Sequence, residues 1–158
     1  MVTKEKLEQI EEMLNKRRWA KDCLRSNIAE PHQLVFRGVK KNVKIAVLQS
    51  EVLPKKETEL RELIKSIAPE WWGDETKVLL NKNVTCKRQR DGNDGHSYIL
   101  WLGNYVGGEL NFDDGTVLSE KGVWHKINGQ NYHWNNPHEG LKYGVVSYKQ
   151  QAKYSKQQ

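Results

Sequence analysis

Ser97-Tyr98-Ile99-Leu100-Trp101-Leu102-Gly103, Gly107-Gly108-Glu109-Leu110-Asn111-Phe112 and Asp113-Asp114-Gly115-Thr116-Val117-Leu118 decide the fold. Each apolar run has the length of a strand. Gly, Asn and Asp separate them, the residues that turn a chain sharply. The texture continues outward through Lys77–Leu80, Gly122–Ile127 and Tyr143–Tyr148. Asp91-Gly92-Asn93-Asp94-Gly95 and Asn128-Gly129 supply further turns. Short strands between closely spaced turns predict a β-sandwich or barrel over residues 76–148.

Upstream the period changes. Residues 3–25 read as an amphipathic helix, with Leu7, Ile10 and Leu14 at i, i+3 and i+7, then Ala20, Cys23 and Leu24. Thr3 is its expected N-cap. Strands are expected at 34–37 and 43–48. Pro54 opens a second helix carrying Leu60, Leu63, Ile64 and Ile67, and Pro69 closes it. Two helices ahead of a sheet predict that one sheet face is covered by them. One domain is expected over 1–148, with 1–75 as helical support. The polar tail 149–158 is expected to fray.

The composition bounds the function. At 158 residues there is room for one ordinary domain. With 37% hydrophobic and 29% charged residues the chain can build a core and is not expected to be disordered. No apolar run approaches the ~20 residues of a membrane span. The N-terminus leads into a charged helix rather than a signal peptide. Two cysteines, Cys23 and Cys86, are too few for a disulfide framework, so an intracellular compartment is expected. There the sequon Asn83-Val84-Thr85 has no meaning.

Net charge is +6, unevenly spread. Residues 1–90 hold 20 Lys and Arg against 13 Asp and Glu, and residues 91–158 hold 6 against 7. No arginine follows Arg90. A basic half suits an anionic partner, nucleic acid or nucleotide, and equally a solvated surface.

The order Leu79-Leu80-Asn81-Lys82-Asn83, Gln89-Arg90-Asp91-Gly92-Asn93, Ser97-Tyr98-Ile99, Gly107-Gly108-Glu109-Leu110, His133 and Tyr143-Gly144-Val145-Val146-Ser147-Tyr148 carries a resemblance. It resembles the Fe(II)/2-oxoglutarate oxygenases of the TET and J-binding-protein type, which hydroxylate pyrimidine bases in nucleic acids. The likeness covers roughly 76–148. It implies an α+β chain with a double-stranded β-helix, or jelly roll, and two N-terminal helices packed on one face. It also implies a metal site in the open mouth. Such sites hold iron with two His and one carboxylate, leaving positions for 2-oxoglutarate and oxygen. The first His and the carboxylate stand at i and i+2, which places both on one strand face.

By this resemblance the metal positions are Gln89, Asp91 and His133, and Lys142 occupies the slot of the arginine that pairs with 2-oxoglutarate. Gln89 stands where a His belongs. A neutral amide is the weaker ligand and lacks imidazole chemistry. Lys142 keeps a charge but not the bidentate fork. His96 and His125 could replace the missing ligand, but neither has the i, i+2 spacing. Lys87, Arg88 and Arg90 flank the mouth motif and are candidates for phosphate. Trp71, Trp72, Trp101, Trp124 and Trp134 could stack on a base or fill the core, and Trp101 and Trp124 are expected in the core. Trp134, next to His133, should point to the opposite face.

These departures favour a binding protein that holds nucleic acid or an anionic nucleotide in the former active-site mouth. The alternative is an active oxygenase of a pyrimidine base, using Fe(II) and 2-oxoglutarate. A scaffold protein docked through its first helix is the third class.

Overall fold

The computed structural model describes residues 1–19, 49–90 and 96–149. Its elements run α1 (Lys4–Lys16), β1 (Gln49–Val52), α2 (Thr58–Ile67), β2 (Lys77–Lys82) and β3 (Ser97–Gly107). β4 (Leu110–Phe112), β5 (Val117–Leu118), β6 (His125–Ile127), β7 (His133–Asn135) and β8 (His138–Tyr148) follow.

Thr3 caps α1 as its residue type predicts. It is extended, and its Oγ1 accepts from the Lys6 amide at 3.2 Å. The helix stops at Lys16, short of the expected 3–25 span, of which residues 20–25 lie outside the described residues. Arg17 takes an extended conformation (ψ 155°), and its side chain, 5% exposed, bridges the carboxylates of Glu51 and Glu57. Trp19 then folds back, its indole donating to the Leu14 carbonyl at 3.1 Å. A tertiary ion-pair cluster has overridden helix periodicity. The strands expected at 34–37 and 43–48 lie outside the described residues. The helix carrying Leu60, Leu63, Ile64 and Ile67 forms as α2 between its two prolines.

All strand pairs are antiparallel. One sheet has the order β1-β2-β8-β3-β6 and the other β5-β4-β7. The fold is α+β: a two-sheet jelly roll with both helices on the outer face of the larger sheet. Alternation along the strands makes two cores. Leu100 and Leu102 of β3 join Val78, Leu80, Tyr143 and Val145 beneath Ile10, Leu14, Leu60, Ile64 and Ile67 of the helices. Ile99, Trp101 and Tyr105 leave β3 on the other face and pack with Leu110 and Phe112 of the smaller sheet. Residues 97–102 and 143–148 are strands as expected, but β3 continues to Gly107 and β8 starts at His138. Gly103 sits inside β3 with φ +112°. There a Cβ would lie 2.2 Å from the Leu141 carbonyl oxygen, so the glycine permits close backbone approach without ending the strand. Among the described residues no helix is long and apolar enough to cross a membrane.

Candidate functional site

The chain leaves β2 through Asn83, a buried residue at φ +57°. Its amide donates to the Lys142 carbonyl at 2.8 Å, and its Oδ1 accepts from the Lys142 amide at 3.0 Å. The segment then crosses to the smaller sheet, where Gln89 pairs with His133. The Gln89 amide donates to the His133 carbonyl at 2.9 Å and the reverse bond is 2.8 Å. Directly opposed antiparallel residues point to one face. Phe112 opposes His133 from the other side and belongs to the core between the sheets. Gln89 and His133 therefore face the interior together.

The His133 ring is oriented by its surroundings. Nδ1 lies 2.8 Å from the Asn131 carbonyl, which can only accept, so Nδ1 carries the proton. In the neutral ring the lone pair is then on Nε2. Across from it, Gln89 Oε1 is buried without a hydrogen-bond partner. Imidazole nitrogen and amide oxygen are both neutral metal donors by type, and here they belong to residues that face one interior. Asp91, the expected carboxylate, lies outside the described residues. Among those residues no group of three His, Cys, Asp or Glu stands close enough to hold an ion. Two neutral donors alone make a weak site for a divalent cation.

Lys142 faces the same interior from β8. It opposes Gly103 of β3, two residues from the register of inward-facing Trp101. Its side chain is buried (3% exposed) and Nζ donates to the Gly108 carbonyl at 3.0 Å. Nζ lies 5.8 Å from the Trp101 ring centre and 5.7 Å from that of Tyr105, within cation–π range. None of the ion pairs among the described residues includes it. Burial lowers its pKa to about 8, although Cys86 and Glu109 pull the other way. Gly108 makes room for it: a Cβ there, at φ +74°, would sit 2.9 Å from Nζ.

His138 completes the cluster. Its Nε2 lies 3.4 Å from Asn83 Oδ1. Burial, then the Lys142 charge, lowers its pKa to about 4. Asn135 Nδ2 donates to the same Gly108 carbonyl at 3.3 Å, and its Oδ1 accepts from the Cys86 amide at 3.0 Å. Sequence reasoning missed Asn135 and His138. A period-two count back from Lys142 finds His138 on the same face of β8. Asn135 is likewise two residues from His133 on β7.

The other candidates stand apart. Lys87, Arg88 and Arg90 are exposed. Arg88 forms a two-pronged ion pair with Asp113, and its guanidinium lies 4.0 Å from the Tyr132 ring centre. His96 is exposed ahead of β3. His125 Nε2 donates to the Glu120 carbonyl at 2.8 Å, and its ring packs on Trp101. Trp101 is core as expected. Trp124 packs against the helix-side core and donates to the Ile67 carbonyl at 2.9 Å. Trp71 packs on Tyr98 and Trp72 under Arg61.

No protein-family model matches the chain, and no curated protein matches it. Solved structures align with it at low similarity. A Pseudomonas putida prolyl-4-hydroxylase aligns over 92% of this chain and 99% of its own, at 14% identity and TM-score 0.44. An RmlC-like cupin protein from Desulfovibrio desulfuricans aligns over 68% and 92%, at 14% and 0.42. A cupin superfamily protein from Desulfitobacterium hafniense aligns over 85% and 100%, at 10% and 0.41. These are likenesses of cupin and oxygenase jelly rolls, too distant to pass any chemistry to this chain. The narrower TET and J-binding likeness rests on the sequence motifs alone.

Proposed function

We propose that this chain is a binding protein that holds a small anionic ligand, of the nucleotide class, in the mouth of its jelly roll. Lys142 carries the reading. A buried ammonium bonded to one carbonyl, with no carboxylate among the described residues paired to it, is poorly compensated there, and an anion would supply charge. Trp101 and Tyr105, both buried, wall the ammonium and shield it from water. Gln89 in the metal position weakens iron binding, which favours binding over turnover.

A second reading is a pyrimidine-base hydroxylase using Fe(II) and 2-oxoglutarate. The His133 tautomer and the unpartnered Gln89 Oε1 favour it. His133 and Gln89, with Asp91 from the sequence pattern, would then hold the iron, and Lys142 would take the far carboxylate of 2-oxoglutarate. The metal would supply oxygen activation.

Anaerobic titration with Fe(II) and 2-oxoglutarate separates the two. The binding reading expects no metal-to-ligand charge-transfer band in the parent and stronger iron binding in Gln89→His. It also expects calorimetric binding of nucleoside phosphates that Lys142→Met abolishes and that weakens above pH 8. Robust succinate production by the parent would overturn it.

A further inference from the structure

The basic residues beside the mouth motif do not serve the mouth. Gln89 points inward, so its neighbours Arg88 and Arg90 leave the strand on the outer face. Trp134, next to inward His133, does the same. Contacts agree with this geometry. Arg88 lies 4.0 Å and Arg90 5.2 Å from the Tyr132 ring centre. Lys87, Arg88 and Trp134 line one open groove of about 410 Å³, with Thr85 and Cys86. Thr85 is 7% exposed, and its buried Oγ1 has no hydrogen-bond partner.

We infer that this outer face of the smaller sheet is a second site, a platform for single-stranded nucleic acid. Trp134 receives a base in the groove and Tyr132, already under two guanidinium groups, carries the next. Lys87 and Arg90 take the phosphates. Neither forms an ion pair among the described residues, whereas Arg88 is held by Asp113 and serves mainly to orient Tyr132. Interleaved cations and aromatic faces on a sheet are what a flexible phosphodiester strand with exposed bases fits. An acidic peptide would use the charges but leave the two rings idle. This site does not depend on the reading of the mouth.

The test is fluorescence anisotropy with labelled oligothymidylate and oligouridylate on the full chain. Binding is expected at low salt and should weaken steeply as salt rises. Trp134→Ala should lose at least about five-fold in affinity. Lys87→Gln with Arg90→Gln should lower the salt slope by roughly 1.4, at about 0.7 per phosphate contact. Both side chains are exposed, so this pair tests the site even if Trp134→Ala fails to fold. No binding at low salt would overturn the inference. So would parent-like binding by both variants, or oligoglutamate binding as tightly as the strands. Loss of strand binding in Lys142→Met, with the outer-face variants unaffected, would place the strand in the mouth. That result would leave the mouth reading standing and remove this one.

Discussion

Lys142→Met should make the protein more stable at neutral pH, and the gain should fade as pH rises. The ammonium normally titrates near 10.5, and burial lowers it to about 8. A difference of 2.5 pH units means that the fold disfavours the charged form by roughly 3 kcal/mol. The unfolded chain keeps this proton up to about 10.5, while the folded chain releases it near 8. Between those values the unfolded state binds more protons, so stability climbs with pH. From pH 8 to 9.5 the climb due to Lys142 is roughly 1.5 kcal/mol.

Methionine keeps the stem between Trp101 and Tyr105 and removes the charge. The Gly108 carbonyl keeps its bond from Asn135, so no acceptor is orphaned. After loss of the lysine bond and ring contacts, a net gain of about 2 kcal/mol at pH 7 is expected. Urea denaturation of parent and variant at pH 7, 8 and 9.5 measures it. Tyr105, whose pKa burial pushes up to about 12, produces the opposite slope above pH 10, which sets the upper limit of the range. If parent and variant run parallel from pH 8 to 9.5, Lys142 is not a buried cation and the mouth has no unpaired charge.

Gly108→Ala should cost about 1–3 kcal/mol, from a positive φ and a Cβ set against Lys142 Nζ, read as a lowered urea midpoint. Arg17→Met should cost about 3 kcal/mol in the same assay, because Glu51 and Glu57 lose a shared, buried partner. His138, lowered to about 4, stays neutral in the fold while the unfolded chain takes a proton near 6.5. Stability should therefore fall by about 1 kcal/mol between pH 7 and 5, a loss absent from His138→Gln.

The larger architecture was legible because strand and helix periods are local. Leu60, Leu63, Ile64 and Ile67 state α2 in their spacing, and the glycine-bounded runs state the strands. What misled was a residue whose local meaning depends on a distant partner. Lys16-Arg17-Arg18 continues a helical pattern, yet Glu51 and Glu57 draw Arg17 out of it. The strand expected at 97–102 runs on to Gly107, because Gly103 lets the Leu141 carbonyl approach closely. Gln89, His133 and Lys142 were candidates from a spaced motif, and the fold turns all three inward. His138 and Asn135 were not, because a buried polar residue on a strand gives no signal until its face is known.

Strand alternation also decides what the sequence left merged. Lys87, Arg88, Gln89 and Arg90 are consecutive, and a linear reading assigns them to one mouth. The Gln89–His133 pair sends Arg88 and Arg90 to the other face, and Lys87 is set apart by its exposure and its place in the outer groove. Gln89 joins the interior that holds the buried Lys142 ammonium, where the proposed anion would bind. The three cations stand in water, where a charge near 4 Å from its partner is worth only about 1 kcal/mol and salt screens it. A ligand of the mouth should therefore respond to pH through Lys142 and little to salt. A ligand of the outer face should respond to salt and little to pH between 6 and 9. One chain carrying both would show two separable titrations, and coincident ones would mean a single site.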